Sequence, residues 1–587
     1  MTEKSFPWLH CLHHPRDGSL TAPEELLARS LTEGRLYDLR SAVSSDGPYA
    51  GRVPVRAAVV RALICGIVAS CQYADPRGLR IIGAVLDERL DLDDITFGLP
   101  LVFVDCELPF GFSAVRSSLH HLHFRVSILA TREDTNAVLD LEQARILNDC
   151  VLERCHLTAS TRLGAVRWQG CHVGGHLQCD ADITNTDGPV LACDNLTTDS
   201  NVTVSGRCRS TGNDDLGAVR LHGSHVGGQF RCNADIIASS GPALVCDHMV
   251  TNSDVILHGS CAGAGNRGAV RLPGAHIGGQ LQCSADITNS DGPALYADNL
   301  VTEGITAVDG RCAGIGPEGV VRLLGAHLGG QLRCGGTILN PDGLALACDN
   351  LVAGSDMILN GSYGGCGDRG VVRLLGAHIE GQLVLSPAFI GDEPPIRWLV
   401  LDGLTYPGLP TLRIGEEEDQ ERAWIDLLAN QTIEYAAQPW QQLAAAWRAA
   451  GHDDTARRVL IAQQEDRRHR ALSQTRHPWR NKTIAWLSKH TTGYGYQSWR
   501  SLVMLVIVAA ASVGASVWFS SPACGRLERV EAGLGWAVPI IFSVRHTACP
   551  ATSPGMIITS WVAHIIGWTL VTLFVTGFTG IIRKSHD

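Results

Sequence analysis

The sequence lacks the features that would attract nucleic acid or bind a redox cofactor. Its 48 Lys and Arg are outnumbered by 59 Asp and Glu, for a net charge of −11, which argues against nucleic-acid binding by bulk electrostatic attraction. None of the 20 cysteines forms a C-x-x-C pair. No G-x-G-x-x-G opens a helix after a strand, so the dinucleotide-binding fingerprint is missing. We therefore expect no cofactor and no nucleic-acid partner.

The sequence also begins without an apolar run. Its start, MTEKSFPWLHCLHHPRDG, predicts no secretory signal. Eighteen cysteines lie before residue 400, and so many unpaired thiols are typical of a reduced, cytosolic part. Two clusters contain candidate metal ligands but lack a matching distant pair, so no metal is expected; they are His10, Cys11, His13 and His14, and His120, His121 and His123.

What the sequence does contain is a long internal repeat. The stretch GAVRLPGAHIGGQLQC (268–283) has four further copies, starting at 164, 217, 319 and 370, with separations of 53, 51, 51 and 51 residues. Between the copies a second motif recurs as LACDNL, LVCDHM, LYADNL and LACDNL, at 191–196, 244–249, 295–300 and 346–351. A fixed period of this length indicates a repeat architecture.

Within each copy, apolar and polar residues alternate over about three positions before a Gly-rich corner, which predicts very short strands with one buried face. No stretch from 164 to 390 has a helical apolar stripe. About eight such bursts per repeat predict two four-sided coils. The fold class is therefore mainly β: a right-handed parallel β-helix, or a pentapeptide-repeat-like solenoid.

The recurrent Cys and His residues are predicted to have structural roles in the walls of the solenoid. Cys283 shares a face with Leu281 and is replaced by Leu385 in the last copy, so it is an apolar core position. The histidines point outward and lie about 10 Å apart, two coils of ~4.8 Å, too far to share a zinc ion. This His column comprises His172, His225, His276, His327 and His378.

An Arg column is also expected to face outward: Arg167, Arg220, Arg271, Arg322 and Arg373, with an Asp column at Asp194, Asp247, Asp298 and Asp349. Two interpretations stay open. One is a solvated face with weak ion pairs. The other is a binding stripe, formed by the Arg and His columns, for an elongated partner.

The chain divides into five predicted segments. Residues 1–75 form an N-terminal helical cap, 76–412 the β-helix, 413–475 a helical hairpin broken at Pro439 and Gly451, 476–500 a basic juxtamembrane segment, and 501–587 two transmembrane helices with an intervening loop. A solenoid needs its open ends covered, so we expect the hairpin to cap the second end or to supply a docking face.

Two long apolar runs predict membrane spans, at 502–519 and 556–582. Eight basic residues and no acidic residue precede the first run: Arg467, Arg468, Arg470, Arg476, Arg480, Lys482, Lys489 and Arg500. Arg583 and Lys584 follow the second. Positive flanks on both sides predict that both termini and the solenoid are cytoplasmic, in a two-span protein of the plasma (inner) membrane whose basic segment faces anionic lipid.

The loop at 520–555 would then lie outside, where Cys524 and Cys549 can form a disulfide. Its apolar piece at 533–544 is short and contains Pro539, which predicts a re-entrant or interfacial segment. TTGYGY (491–496) looks like a potassium-channel filter, but it precedes the first span, whereas a filter must lie between spans. An aromatic interface anchor is the preferred interpretation.

Taken together, these motifs resemble a group of actinobacterial membrane-anchored repeat proteins related in style to pentapeptide-repeat proteins. The resemblance rests on the GAVRL-x-GAHIGGQL copies, EYAAQPWQQLAAAWRAAGHDDTARRVLIAQQ (434–464), GYGY (493–496) and GWTLVTLFVTGFTGIIRK (567–584). It covers about residues 20–584. It implies a membrane-anchored solenoid and no biochemical role. Such proteins are sometimes labelled "membrane-associated oxidoreductase", a label that no cofactor motif supports here.

Three function classes follow. The first is a non-enzymatic membrane-tethered scaffold that presents a rigid surface to a protein partner. The second is an oligomeric two-span pore or mechanosensor gated by the solenoid. The third is an enzyme, for which no nucleophile–base pair or carboxylate pair stands out. Small residues at Ala510 and Gly514, and at Ala563 and Gly567, are compatible with a homo-oligomer.

Overall fold

The computed structural model describes residues 20–42, 51–69, 74–131, 136–212, 216–365, 370–390, 397–413, 419–472, 499–519, 525–537 and 554–584. The chain divides into two compact units, Met1–Gln442 and Leu443–Asp587. The first unit is a parallel β-solenoid of about 12 turns. The predicted fold class is confirmed.

From Leu244 to Phe389 each coil of the solenoid contains four short strands; in the coils from Leu139 to Ala238 the third and fourth strands are joined into one, such as Leu177–Asn185. In one coil they are Val270–Arg271, His276–Ile277, Leu281–Cys283 and Asp286–Asn289; in the next they are Leu295–Tyr296, Val301–Thr302, Thr306–Val308 and Arg311–Ala313. Leu295 pairs in parallel with Val270 below and with Val321 above. The repeat that starts at 268 is therefore two coils with eight strands, as the sequence predicts.

The first strand of every coil belongs to a separate 13-stranded sheet, which we call face 1. Its strands are Leu90–Asp91, Phe112–Ser113, Leu139–Asp140, Val166–Arg167, Leu191–Ala192, Val219–Arg220, Leu244–Val245, Val270–Arg271, Leu295–Tyr296, Val321–Arg322, Leu346–Ala347, Val372–Arg373 and Leu399–Val400. The second strands, which we call face 2, carry the His column. They include His172–Val173, Thr197–Thr198, His225–Val226, Val250–Thr251, His276–Ile277, Val301–Thr302, His327–Leu328, Val352–Ala353 and His378–Ile379.

The corner between faces 1 and 2 requires a left-handed backbone residue in each coil. Gly274 adopts it with φ 63° and Asn299 in the next coil with φ 55°. Gly and Asn are the residues that tolerate this conformation best, which explains why the two repeat motifs carry G-A-H and D-N-L at this place. The interior is apolar: Val270, Leu272 and Ile277 are fully buried.

Helices cover the N-terminal end. Helix α1 (Ala22–Glu33) and helix α2 (Ala57–Ala69) confirm the helical prediction for this region. Between them Val53–Val55 adds a strand to Ala84–Leu86 of the first coils. The buried Glu24 of α1 forms an ion pair of 2.6 Å with Arg56, just before α2.

After the last coil the chain becomes helical, with α3 (Gln420–Asp426), a π-helical turn (Leu427–Gln431), α4 (Ala437–Ala449) and α5 (Asp453–Leu472). Gly451 separates α4 from α5 with φ 83°. The prediction that Pro439 breaks a helix is wrong. Pro439 lies in the first turn of α4, where its missing N–H has no intrahelical partner to lose.

The second unit contains three more helices: α6 (Trp499–Phe519), α7 (Arg526–Ala537) and α8 (Pro554–Lys584). They pack closely, since a Cβ on Gly533 of α7 would come within 2.5 Å of Val513 of α6. The Ser516 hydroxyl donates a 2.7 Å hydrogen bond to the Arg529 carbonyl. Helices α6 and α8 contain windows long and apolar enough to cross a membrane, Ser501–Trp518 and Ile557–Val575.

Candidate functional site

The Arg column of face 1 forms ion pairs between coils. Arg322 Nη2 lies 2.7 Å from Asp298 Oδ2, and Arg373 Nη2 lies 2.7 Å from Asp349 Oδ2. The same pairing joins Arg220 to Asp194 and Arg271 to Asp247, while Arg167 contacts Asp140 and Glu142. We call this series the Arg–Asp ladder.

The ladder has one arginine in every second coil, because the coils between carry other residues at this position of face 1. On face 1 the residue beside Arg322 is Tyr296 on one side and Ala347 on the other. Each arginine reaches back to the aspartate two residues beyond its neighbour in the preceding coil. Arg322 also lies over the Tyr296 ring, with Cζ 4.9 Å from the ring centre.

The ladder is largely shielded from water. The Arg322 and Asp298 side chains are each only 12% exposed. Burial would lower the pKa of the Arg322 guanidinium, but hydrogen bonds to the Asp298 and Glu318 carboxylates outweigh it and raise that pKa. The guanidinium charges of the predicted binding stripe are therefore paired with carboxylates of the same chain.

The His column lies on face 2, across the left-handed corner from the ladder. His225, His276, His327 and His378 are exposed, and His172 is half-buried. Each histidine has a Thr or Val beside it in the next coil, such as Val301 beside His276. The structure thus places the two halves of the predicted stripe on adjacent faces.

The described cysteines of the coils are buried, and only Cys65 of α2 is exposed among those described. Burial raises the pKa of the Cys283 thiol to about 12 and that of Cys334 likewise. A thiol held neutral is a poor nucleophile and a poor metal ligand. These cysteines are apolar filling, as the exchange of Cys283 for Leu385 predicts.

The second His cluster is also part of the solenoid wall. His121 and His123 lie on the strand Ser118–Arg125, and burial lowers the pKa of His121. His123 Nε2 lies 3.4 Å from Glu153 Oε2. Within the described ranges no three His, Cys, Asp or Glu side chains are grouped to hold a metal ion. His10, Cys11, His13 and His14 lie outside those ranges.

A cavity of about 290 Å³ opens at the C-terminal end of face 1. It lies between the last coil and the chain entering α4, and the residues around it include Arg373, Leu375, Val400, Asp402, Ile433, Glu434, Tyr435 and Trp440. Sequence reasoning missed this cavity, although LVLDGL (399–404) is a further copy of the LACDNL motif that no GVVRL copy follows.

The cavity occupies the place of the next ladder step. Leu399 forms a parallel bridge with Thr432, and the Ile433 N–H donates a 3.2 Å hydrogen bond to the Leu399 carbonyl. Ile433 therefore stands beside Val400, where the pattern would place an arginine. Within the described chain Asp402, the last aspartate of the column, has no side-chain hydrogen bond or ion pair.

Only some of the basic residues before the first span lie within the described part of the chain. Arg467, Arg468 and Arg470 lie on α5, where Arg470 pairs with Asp466 at 2.8 Å. Arg500 lies at the start of α6. Arg476, Arg480, Lys482 and Lys489 lie outside the described residues, as do Cys524, Cys549 and TTGYGY.

The predicted re-entrant segment at 533–544 overlaps helix α7, which begins before residue 533. Helix α7 begins at Arg526 and is described to Ala537, so only the first part of 533–544 falls within it. Gly567 of α8 approaches Ala537 closely enough that a Cβ would collide with the Ala537 carbonyl. Ala510 and Gly514 of α6 are exposed instead.

No protein-family model, curated protein or solved structure matches the chain.

Proposed function

We propose that the protein is a non-enzymatic, membrane-tethered scaffold whose solenoid presents a long rigid flank to a protein partner. The observation that carries the proposal is the unbroken parallel stack of face 1, with its 13 strands. At ~4.8 Å per step, such a stack extends about 60 Å. A surface of this length suits an elongated partner.

Face 2 is the proposed contact surface. The charges of the Arg column are already paired within the chain, whereas four of the five histidines are exposed. Exposed imidazoles alternating with Val250, Val301 and Val352 give a repeating polar and apolar pattern. A partner with matching spacing would gain one similar contact at every second coil.

The tether is proposed to be α6 and α8. Their apolar windows are long enough to span, and basic residues before α6 and at the end of α8 favour cytoplasmic flanks. The basic residues Arg467, Arg468, Arg476, Arg480, Lys482, Lys489 and Arg500 would then lie near anionic lipid. Arg470 is excluded because Asp466 already pairs with it.

Crosslinking in membranes tests the scaffold. The full chain and a triple variant, His225→Asp, His276→Asp and His327→Asp, are treated with a bifunctional crosslinker in native membranes. The control carries Asp at outward positions of the third strands, Gln178, Thr203 and Gln282. We expect one defined adduct that the His variant loses and the control keeps. An adduct that forms equally well with the His variant would contradict the proposal.

The pore is the competing outcome. Purified full chain in liposomes is expected to give no ion flux above empty liposomes. Flux that depends on the protein would favour the two-span pore over the scaffold.

A further inference from the structure

We propose that the cavity at the end of face 1 is a binding site for a guanidinium group, which completes the Arg–Asp ladder from outside the chain. The site is independent of the scaffold function. Asp402 is its anchor, because it repeats the position of Asp349 and Asp298 but pairs with no arginine among the described residues.

The register of the last rung supports this assignment. In the ladder an arginine pairs with the aspartate two residues after its neighbour on face 1: Arg373 is beside Ala347 and binds Asp349. By the same rule the residue beside Val400 would bind Asp402. That residue is Ile433, which carries no charge.

The lining suits a planar cation. Its charged residues are Asp402, Glu434 and Arg373, and the Arg373 charge is offset by Asp349. Two carboxylates therefore remain without a cation among the described residues. The Arg397 guanidinium donates to the Ile433 carbonyl at 3.2 Å and is not part of the lining.

Aromatic and apolar residues supply the remaining surface. Tyr435 and Trp440 line the cavity beside Leu375 and Val400. Aromatic rings attract guanidinium groups, and the ladder already contains such a contact, that of Arg322 with Tyr296. The volume is close to the lower end, about 300 Å³, of ordinary small-ligand pockets. A carboxylate favours guanidinium over ammonium because the planar fork donates two parallel hydrogen bonds.

Calorimetry on the full chain in detergent micelles tests the site. The probes are agmatine, N-acetyl-arginine amide and, as the uncharged control, N-acetyl-citrulline amide. We expect one-to-one binding of a guanidinium probe and none of the citrulline amide. Binding of agmatine alone would assign a small-molecule source, and binding of the arginine amide would assign an arginine side chain.

Two variants locate the site. Asp402→Asn is expected to weaken binding about ten-fold or more, since a charge-assisted hydrogen bond is lost, whereas Glu303→Gln, an exposed carboxylate elsewhere on the solenoid, should leave binding unchanged. Ile433→Arg should abolish binding and raise the melting temperature by filling the vacant ladder step; Ile433→Met is its uncharged control. Thermal melts establish that each variant is folded.

The proposal is overturned if neither guanidinium probe binds, if citrulline amide binds equally well, or if folded Asp402→Asn binds like the parent chain. Should Ile433→Arg fail to fold, the Asp402→Asn comparison alone decides.

Discussion

Arg322 and Asp298 belong to consecutive coils, 24 residues apart in the chain, yet their Nη2 and Oδ2 atoms lie 2.7 Å apart. The pair connects two coils through side chains where the backbone already connects them through strand pairing. Because both side chains are mostly buried, the pair should contribute more than an ion pair on an open surface.

A double-mutant cycle measures this contribution. Arg322→Met and Asp298→Asn should each destabilise the solenoid, and their coupling energy in chemical unfolding should be about 1.5–3 kcal/mol, the range of hydrogen bonds to charged groups. The exposed pair of Arg116 and Asp94 is the matched control, and its coupling should be much smaller because solvent screens it. Equal coupling at both pairs would contradict the role assigned to burial.

Cys283 should tolerate an apolar replacement. Cys283→Leu is expected to change the free energy of unfolding by less than about 1.5 kcal/mol, because the position is apolar and the volumes are similar. Cys283→Asp should be severely destabilising, since it buries an unpaired charge. If Cys283→Leu unfolded the protein while Cys283→Asp left its melting temperature unchanged, the side chain would point outward.

Replacing Gly325 by alanine should destabilise the solenoid. Its φ is 64°, and a Cβ would come within 2.7 Å of the Asn299 side chain one coil below. Gly451→Ala is the matched control, with φ 83° and open space around the added carbon. We expect Gly325→Ala to lower stability by more than the roughly 1 kcal/mol that the left-handed backbone alone imposes. Similar losses in both variants would mean that Asn299 simply moves aside.

The N-terminal cap should lose stability in acid through Glu24. Burial raises the pKa of this carboxyl, but the hydrogen bonds from Arg56 and the Thr21 N–H outweigh burial, and the net pKa is below its ordinary value of 4.5. A folded-state pKa below the unfolded value means that the stabilisation is present above pH 4.5 and disappears as the pH falls through the folded-state pKa.

Glu24→Gln removes this dependence. The variant should be less stable than the parent chain at pH 7, and the difference should narrow below pH 4.5. Hydrogen exchange of α1 amides across this range provides the measurement. A constant difference at every pH would contradict the linkage.

Thiol labelling tests the proposed topology, with Cys65 as the reporter because it is exposed. Cys11, Cys71 and Cys366 lie outside the described residues and are first replaced by Ser. A membrane-impermeant reagent applied to intact cells after reduction should label Cys524 and Cys549 and leave Cys65 unlabelled. Opening the membranes should add Cys65.

Without reduction, a disulfide between Cys524 and Cys549 should block both. Labelling of Cys65 in intact cells would invert the topology and exclude a cytoplasmic scaffold.

The sequence predicts the solenoid well because its period is a backbone property. Alternation around Leu281 and Cys283 gives the strand, and the 51-residue spacing gives two coils. The sequence predicts outward Arg and Asp columns with weak ion pairs, but it does not predict that Arg322 and Asp298 are mostly shielded from water. The final cavity has no such signal, because Thr432 and Ile433 extend face 1 by one strand pairing without repeating any motif.

The ladder also fixes the unit by which such a chain could be shortened or lengthened. Removing one coil, about half a period, would set Arg271 directly beside Arg322 and delete the aspartate between them, so two cations would stack ~4.8 Å apart. Removing a whole 51-residue period would instead leave every arginine above an aspartate. Copy-number changes, whether engineered or by recombination, should therefore be tolerated in pairs of coils and rejected in single ones.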